Sequence, residues 1–334
     1  MAEPHFLLVR LGALGDVVHA LPAAAALRDT FPEARIDWVV DRKWARLLEG
    51  NPDLNEVIVL DRSSPAEIAS VVRRLRAAGY SCAIDFQALY KSALLSFGSQ
   101  APRRIGFQSS YAREGLAAFL YTERYNPRGP HKVDHNLTLA EAAGANRSQP
   151  RFPLHIGAKD EDLVERELSA SGVSDFYLLN PGGGWRSKCW PGERYGKLHQ
   201  LLSERHGWRG IVSHGPGEEN LAREVINAAG QPAPVALALG LGPLLALLRR
   251  AKFIVSADTG PLHLAAALCT PVVGLFGPTD PARNGPYSAG DVIVRNPRYS
   301  ETTYRRGASY SPAMLSISVN QVMEAVERRL GLRR

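Results

Sequence analysis

The sequence predicts an α/β protein of two doubly wound domains in tandem, each a mostly parallel sheet flanked by helices. Its 334 residues are long for one domain and comfortable for two. Short apolar runs alternate with longer helical stretches in both halves, which is the pattern of repeated βα units. In each half the first predicted strand leads into a glycine-containing turn, at residues 12–15 and 181–184.

The first half opens with an apolar run at residues 6–11, broken only by Arg10, which is typical of a strand buried on both faces. Residues 17–30 are rich in alanine and predict a helix, and residues 65–78 predict an amphipathic one. In chain order the predicted strands are 6–11, 35–40, 56–60 and 82–86, and the predicted helices are 17–30, 44–51, 65–78 and 91–97.

The second half begins after the charged segment 159–171, which predicts a solvated connecting helix. The predicted strands here are 177–180, 210–214, 253–255 and 271–276, and the predicted helices are 192–206, 218–229, 244–250, one that opens at Pro261, and 319–330. We expect a cleft between the carboxyl edges of the two sheets to be the active site. The expected boundaries are 1–157 for the N-terminal domain, 158–175 for a linker helix, 176–316 for the C-terminal domain and 317–334 for a closing helix.

Composition is that of an ordinary globular protein, with 45% apolar and 22% charged residues. The longest apolar stretch, residues 235–248, is too short to span a bilayer, and the N-terminus lacks the pattern of a secretory signal. Cys82, Cys189 and Cys269 are far apart and outside any metal-ligand spacing. They predict reduced thiols in a cytosolic protein.

The net charge of +7 suggests an acidic partner. The first half carries a long series of cations: Arg42, Lys43, Arg46, Arg73, Arg74, Arg76, Arg103, Arg104, Arg113, Arg124, Arg128 and Lys132. Because this half has no RNA-binding aromatic signature and no DNA-reading motif, a phosphorylated lipid or an anionic membrane surface fits better than nucleic acid. The alternative is that these cations are the solvated surface of a basic protein.

Residues 253–280 predict a strand, a tight turn, a helix and a second strand. Pro261 suits the first helical position, and Asp258 or Thr259 can cap the helix. The free N–H groups of such a helix start favour a phosphate, to which His263 in the first turn could also donate. The alternative is a well-capped crossover helix with a satisfied histidine.

The first βα turn contains Gly12, Gly15 and Asp16. It lacks the G-x-G-x-x-G spacing of dinucleotide folds and the Gly-Lys-Ser/Thr of a P-loop. A carboxylate at a helix start is ionised at neutral pH, so Asp16 could take a proton from an acceptor hydroxyl as general base. Asp16 could instead only cap the helix.

Residues 180–191 place three glycines after a strand, followed by Arg186 and Lys188. Such a loop can hold a diphosphate through backbone N–H groups and cations, although a flexible loop is the simpler alternative. Residues 160–162 form an Asp-x-Asp pattern, but the run of mixed charge around them predicts a solvated helix face and no metal. Neither a Gly-x-Ser-x-Gly elbow nor a His-Glu-x-x-His motif is present.

Six segments, spread in order over residues 6–287, resemble glycosyltransferase family 9, to which the bacterial lipopolysaccharide heptosyltransferases belong. They are GDVVHALP at 15–22, IDFQALYKSA at 84–93, RRIGF at 103–107, KCWP at 188–191, DTGPLH at 258–263 and GPTDP at 277–281. The first two look most like heptosyltransferase I.

The resemblance implies the GT-B fold, in which two Rossmann-like domains face a central cleft, with the sugar acceptor on the N-terminal domain and the nucleotide sugar on the C-terminal one. It implies an inverting transfer without a metal, with Asp16 as the base. Lys188, Asp258, Thr259, Gly260 and His263 match the positions that hold the nucleotide diphosphate. Glu218 or Glu219 matches the acid on the nucleoside ribose. Gly183 and Gly184 stand where heptosyltransferase I has hydroxyl residues, so contacts there must come from backbone N–H groups.

The implied reaction moves heptose from ADP-heptose to a Kdo-lipid A acceptor, with no cofactor and no nucleic acid, on the cytoplasmic face of the inner membrane as a peripheral protein. The residues expected to bind the acceptor are Gly15, His19, Lys91, Arg103, Arg104 and Arg113. The alternatives are a family 9 enzyme with another donor or acceptor, and an NAD-linked oxidoreductase or epimerase. The latter would need a G-x-G-x-x-G turn. A periplasmic-type binding protein would need a signal peptide.

Overall fold

Two six-stranded sheets organise the chain, one in each of two units, Met1–His155 and Ile156–Arg334. The computed structural model describes residues 3–147, 149–299, 301–303 and 306–332. Every strand pairing in both sheets is parallel. Helices connect the strands, so the doubly wound α/β class predicted from the sequence is confirmed.

The first unit has the strand order β3-β2-β1-β4-β5-β6. Its elements are β1 (His5–Val9), α1 (Leu14–Val18), α2 (Leu21–Thr30), β2 (Arg35–Asp41), a 3₁₀ helix (Arg42–Leu47), β3 (Glu56–Leu60), α3 (Pro65–Ala77), β4 (Cys82–Asp85), α4 (Tyr90–Gly98), β5 (Arg103–Phe107), a second 3₁₀ helix (Gly115–Leu120), β6 (Glu123–Tyr125) and α5 (Lys132–Ala142). The order reverses between the neighbouring strands β1 and β4, which leaves a crevice beyond their carboxyl ends.

The second unit repeats this arrangement with the order β12-β11-β10-β7-β8-β9, and its order reverses between β7 and β10. Its elements are α6 (Ala158–Ser171), β7 (Phe176–Asn180), a 3₁₀ helix (Arg186–Lys188), α7 (Gly192–His206), β8 (Arg209–His214), α8 (Glu219–Ala228), β9 (Val235–Ala238), α9 (Leu241–Arg250), β10 (Ile254–Ala257), α10 (Gly260–Ala267), β11 (Val272–Leu275), α11 (Pro281–Asn284), β12 (Val292–Val294), α12 (Pro312–Leu315) and α13 (Val319–Arg329).

The central strands are apolar on both faces because helices cover both. Leu7, Leu8 and Val9 of β1 are fully buried, as expected for a continuous apolar run in a parallel sheet. Trp38 of β2 is also fully buried, and its indole N–H donates to the Arg10 carbonyl at 3.1 Å. This bond satisfies the one polar group of that side chain and fixes the chain where it leaves β1.

The predicted helix at residues 17–30 is in fact two helices, α1 and α2, separated at His19 and Ala20. Pro22 explains the break, because a proline has no N–H to continue the helical ladder and is accommodated in the first turn of a new helix. Strands β5, β6, β9 and β12 were not predicted. β5 begins with two arginines, and β6 and β12 have only three residues each, so their sequences carry little strand pattern.

The expectation of a solvated face at residues 160–162 is wrong for Asp160. Helix α6 packs against α9 and buries Asp160, Val164 and Leu168. A β-carbon at Gly242 would lie 2.4 Å from an Asp160 carboxylate oxygen, so only glycine allows this approach. Gly242 is in the first turn of α9, and the start of a helix stabilises a carboxylate such as that of Asp160.

Three cysteines, Cys82, Cys189 and Cys269, are free thiols, the first two buried and the third exposed. Within the parts of the chain that the structure describes, no helix is long and apolar enough to cross a membrane.

Asp85, at the end of β4, is fully buried and organises the segment that follows. Its carboxylate accepts from the backbone N–H groups of Gln87 (2.8 Å) and Ala88 (3.2 Å) and from the hydroxyls of Ser92 (2.7 Å) and Tyr121 (2.7 Å). Burial raises the pKa of Asp85 above its usual value, against the effect of these donors. The Tyr121 ring lies over Gly106 of β5, where a β-carbon would be only 2.3 Å from the ring.

Replacing Asp85 by alanine should lower the free energy of unfolding by about 2–4 kcal/mol, because buried hydroxyl and N–H donors lose their acceptor. Urea denaturation followed by circular dichroism measures this loss. Asp61→Ala is the matched control. Asp61 also accepts a backbone N–H and a hydroxyl, both from Ser63, but it remains accessible to solvent. Equal transition midpoints for the two variants would contradict the role given to Asp85.

Candidate active site

Four loops that carry predicted site residues leave the carboxyl ends of the strands at which each sheet reverses its order. In the first unit the loop after β1 carries Asp16, and the loop after β4 leads to Lys91. In the second unit the loop after β7 carries Lys188, and the turn after β10 carries Asp258. These are the positions at which doubly wound sheets bind ligands.

Asp16 is the third residue of α1, and two cations contact its carboxylate. Arg10 Nη2 lies 2.8 Å from one oxygen, and Lys132 Nζ lies 2.5 Å from the other. The backbone N–H of Ala13 donates to Asp16 at the longer distance of 3.3 Å. Capping of α1 is therefore the weakest of the contacts that this carboxylate makes.

Burial opposes ionisation of Asp16, but Arg10, Lys132 and His19 outweigh it and hold its pKa well below the usual range. About a quarter of the side chain, 24%, remains exposed. Asp16 is thus an accessible carboxylate that is ionised at neutral pH. A group with so low a pKa is a weak base, so proton transfer to it requires that a cation is drawn away or a donor is brought close.

Arg10 is held at the sheet edge by the loop after β4. Its side chain is buried and donates through Nη1 to the Phe86 carbonyl. The Gln87 side-chain oxygen accepts from the Leu11 backbone N–H at 2.7 Å. These two bonds join the loops after β1 and β4, so the segment 84–93 helps to position Asp16.

His19 lies behind Asp16 and not at the surface. It is 3% exposed, and its ring meets that of His131 edge-on with centroids 5.1 Å apart. His131 precedes α5 and accepts from the Val133 backbone N–H at 3.1 Å, which places Lys132 beside Asp16. Gly15, half-buried in α1, immediately precedes Asp16. Gly15, Asp16 and Lys132 are partly exposed here, whereas His19 and His131 are enclosed.

The four cations expected at the acceptor separate into two pairs. Lys91 is exposed in the first turn of α4, and Arg113 is exposed in the loop after β5, so both are at the carboxyl edge of the sheet. Arg103 and Arg104 open β5 and therefore lie at the opposite, amino edge.

Arg103 and Arg104 also have structural partners at that edge. Arg103 is paired with Glu123 at 2.7 Å and donates to the Ala142 carbonyl. Arg104 donates to the Leu120 and Ala101 carbonyls at 3.0 and 2.8 Å. The structure does not bring Arg103 and Arg104 to Asp16, because a whole strand lies between them and the carboxyl edge.

In the second unit, Lys188, Asp258 and His263 form a buried cluster. Lys188 Nζ lies 2.8 Å from one Asp258 oxygen, and His263 Nε2 lies 3.2 Å from the other. The three side chains are only 6–10% exposed. Burial opposes ionisation of Asp258, but the hydrogen bond from His263 and the charge of Lys188 keep its pKa well below the usual range. The Trp185 ring, 4.5 Å from Lys188 Nζ, adds a cation–π contact.

The cluster surrounds the start of α10. Thr259 precedes the helix, Gly260 is its first residue and Pro261 its second. The Thr259 hydroxyl is 3.1 Å from that of Ser256 and accepts from the Asn180 amide at 3.2 Å, which ties the turn to β7. The first-turn N–H groups of Gly260 and Leu262 have no acceptor within their own helix, and such groups favour an anion.

The glycine-rich loop after β7 lies against Glu218. A β-carbon at Gly182 would be 2.2 Å from a Glu218 oxygen, and Glu218 accepts from the Gly215 N–H at 2.9 Å. A β-carbon at Gly183 would be 2.6 Å from the Cys189 sulfur, whereas Gly184, at φ +71°, faces open space. Glu218 is half-buried beside this loop.

Glu219 is exposed at the start of α8 and accepts from the Gly217 N–H at 3.1 Å. Of the two candidate acids, Glu218 is therefore the one that contacts the glycine-rich loop. In the described ranges no group of three or more His, Cys, Asp or Glu side chains is arranged to hold a metal ion.

Sequence reasoning missed Arg10 and Lys132 as partners of Asp16. A signal for Arg10 was present, because it is the one cation in an otherwise apolar run. No local signal existed for Lys132, which is 116 residues from Asp16 in the sequence. The sequence pattern also gives no role to Asn180, although its amide joins the end of β7 to the turn after β10.

Residues 68–314 match the model of glycosyltransferase family 9 (heptosyltransferase). Lipopolysaccharide heptosyltransferase 1 of Pseudomonas aeruginosa is 30% identical over 319 residues, covering 92% of this chain and 88% of that protein. The E. coli heptosyltransferase WaaC solved with ADP is 26% identical, with a TM-score of 0.80 over 97% of this chain and 99% of that one. Its structure with ADP-2-deoxy-2-fluoro heptose matches with a TM-score of 0.76, at the same identity and coverage.

These likenesses extend over nearly the whole chain and confirm the GT-B class and the resemblance noted in the sequence. With two parallel, doubly wound sheets and candidate site residues where each sheet reverses its order, the chain belongs to glycosyltransferase family 9.

Proposed function

We propose that this glycosyltransferase moves a heptose from ADP-heptose to the Kdo region of a lipid A precursor, with inversion at the anomeric carbon and without a metal ion. The observation that carries the proposal is the buried cluster of Lys188, Asp258 and His263 at the start of α10. The E. coli relative bound to ADP and to a fluorinated ADP-heptose supports the choice of donor. The enzyme would act at the cytoplasmic face of the inner membrane as a peripheral protein.

The second unit would hold the donor. Asp258 fixes Lys188 through one N–H, and an ammonium group has two further donors that can reach a diphosphate. His263, the Thr259 turn and the N–H groups of Gly260 and Leu262 would complete the diphosphate site. The N–H groups of Gly183 and Gly184 would contact the same group, and Glu218 would accept from the ribose, with Glu219 farther out at the helix start.

The first unit would hold the acceptor. Lys91 and Arg113 would pair with its anionic groups, beside Gly15 and Asp16. An acceptor carboxylate or phosphate competes with Asp16 for Lys132, which would release one carboxylate oxygen to take the proton. Arg103, Arg104 and the buried His19 are left out of the acceptor contacts, since their side chains are occupied elsewhere or enclosed.

In the reaction, the acceptor hydroxyl oxygen forms a bond to the anomeric carbon and its proton passes to Asp16. The bond from that carbon to the phosphate oxygen breaks on the opposite face, and ADP leaves with the electron pair. A single displacement inverts the configuration. Lys188 and the α10 start stabilise the charge that develops on the leaving diphosphate, which is the task a metal ion performs in other transferases.

The purified protein should therefore release ADP and form a heptosylated product from ADP-heptose and Kdo-lipid A, at the same rate with and without EDTA. Mass spectrometry of the product and an ADP-release assay measure both. Activity that EDTA abolishes and magnesium restores would contradict the metal-free mechanism. Transfer only from another nucleotide sugar, or only to another glycan, would favour a different family 9 specificity.

Asp16→Asn should lower turnover by about 10²–10⁴-fold, because the amide cannot accept the proton of the acceptor hydroxyl. ADP affinity should stay unchanged, since the donor residues are in the second unit. Steady-state kinetics and calorimetric titration with ADP separate the two effects. Asp134→Asn is the control, because Asp134 is likewise the third residue of its helix, α5. A folded Asp16→Asn enzyme within about threefold of the parent's turnover would leave Asp16 a structural residue.

Lys188→Ala should weaken ADP binding by about 1.5–3 kcal/mol, the range of a charge-assisted hydrogen bond. Calorimetric titration of the folded variant with ADP measures the change. Lys197→Ala serves as control, because Lys197 is exposed on α7 of the same unit. If both variants bind ADP as tightly as the parent, the cluster of Lys188, Asp258 and His263 is structural.

A further inference from the structure

Exposed apolar side chains of the first unit are concentrated on α4 and on the neighbouring 3₁₀ helix Gly115–Leu120. Of the ten large apolar residues that are exposed in the described parts of the chain, six lie between residues 90 and 119. Five of the six form what we name the apolar patch: Tyr90, Leu94, Phe97, Leu116 and Phe119. Leu116 and Phe119 are each 71% exposed, more than the other large apolar side chains that are exposed. Such clustering marks an interaction surface, whereas scattered exposed residues would not.

The apolar patch is continuous because its two helices pack on each other. Ala93 of α4 is buried with Ala117 and Ala118 of the 3₁₀ helix. The small alanine side chains bring the helices close, so the larger side chains beside them project outward on the two sides of one seam. At one end of the seam the Tyr90 backbone N–H donates to Glu114 at 2.6 Å. The surface is therefore held by the fold, and its apolar character is not the result of a loose loop.

Tyr90, Leu94 and Phe97 are spaced four and three residues apart, so they lie on one face of α4. Helix α4 starts at the carboxyl edge of the sheet, beside the strand that leads to Asp16, and runs about 13 Å away from it. The apolar patch thus begins at the edge that carries the proposed acceptor site.

Cations surround the apolar patch. The guanidinium groups of Arg104 and Arg124 lie 5.4 and 5.9 Å from the ring centroids of Phe97 and Phe119. An arginine over an aromatic ring keeps its charge at the surface while its stem covers apolar area. Lys91 and Arg113 are exposed on the same segment.

Two acidic residues lie close to these cations and are outnumbered by them. Glu114 accepts from the start of α4, and Glu123 is paired with Arg103. The rim of the apolar patch therefore presents mainly positive charge.

We propose that the apolar patch docks this enzyme on an anionic bilayer, with its aromatic and leucine side chains among the lipid headgroups and its cations at the lipid phosphates. Aromatic side chains interleaved with arginine and lysine are the composition of membrane interfaces. The inference rests on the proposed function in one respect, since a lipid-linked acceptor gives the enzyme a reason to bind a membrane.

A second copy of the chain fits the apolar patch less well than a bilayer does. In a twofold dimer each patch would face its own copy, and the positive rims would repel each other. An anionic lipid surface offers the opposite charge to the same rim.

Co-sedimentation of the full chain with vesicles tests the inference. The parent should bind vesicles of phosphatidylethanolamine and phosphatidylglycerol, more weakly at high salt, and should bind phosphatidylcholine vesicles poorly. The double variant Leu116→Ser/Phe119→Ser and the single variant Arg124→Glu should each lose at least about tenfold in affinity for the anionic vesicles. Leu315→Ser, which changes an exposed leucine of the second unit, should bind like the parent.

A water-soluble Kdo acceptor without acyl chains separates this inference from the proposed function. The double variant should transfer heptose to it at the parent's rate, because the apolar patch does not touch the reacting groups. Vesicle binding without transfer by the parent would refute the proposed function and leave the docking surface standing. Parent-like vesicle binding by the double variant overturns the inference, and so does a parent dimer in sedimentation velocity that the double variant abolishes.

Discussion

The reversal of strand order in each parallel sheet is the constraint on which both halves of the molecule depend. Because parallel strands all end at one edge, the connections after β1 and β4 diverge to opposite faces and leave a crevice between them. The same divergence occurs after β7 and β10. Side chains from loops far apart in sequence therefore meet without a long insertion. Short turns are enough to form the candidate site of each unit. The central strands, which are buried on both faces and mostly apolar, stabilise this geometry.

Three aspartates lie at or after strand ends in this fold, and their surroundings give them different properties. Asp85 is bonded by hydroxyl and backbone donors in the core, and burial raises its pKa. Asp16 and Asp258 each lie between two basic side chains, and their pKa values fall despite burial. Because the donors around Asp85 are neutral, Asp85 is a structural residue. The cations beside Asp16 and Asp258 keep both carboxylates ionised. An anionic ligand can contact the same cations.

The fold class and the central residues of both halves could be predicted from the sequence, because they depend on local pattern. The alternation of strands and helices, the glycine turn before Asp16 and the Pro261 helix start are all short-range signals. Arg103 and Arg104 show the limit of such signals. A cluster of cations in the sequence does not tell which end of a strand it occupies, and here the answer is the edge away from Asp16. Lys132 shows a second limit, because only the folded chain brings it across 116 residues to Asp16.

The contact between Gly106 and the Tyr121 ring has a consequence for how this region can evolve. The ring fills the space that any side chain at position 106 would need, and the hydroxyl of the same ring bonds Asp85. A relative with a larger residue at position 106 must move or replace its tyrosine, and must then supply another donor for the buried carboxylate. Substitutions at 85, 106 and 121 are thus expected to covary as a set. A change at one of these positions alone should destabilise the protein more than a matched change at all three, because the three residues are in contact.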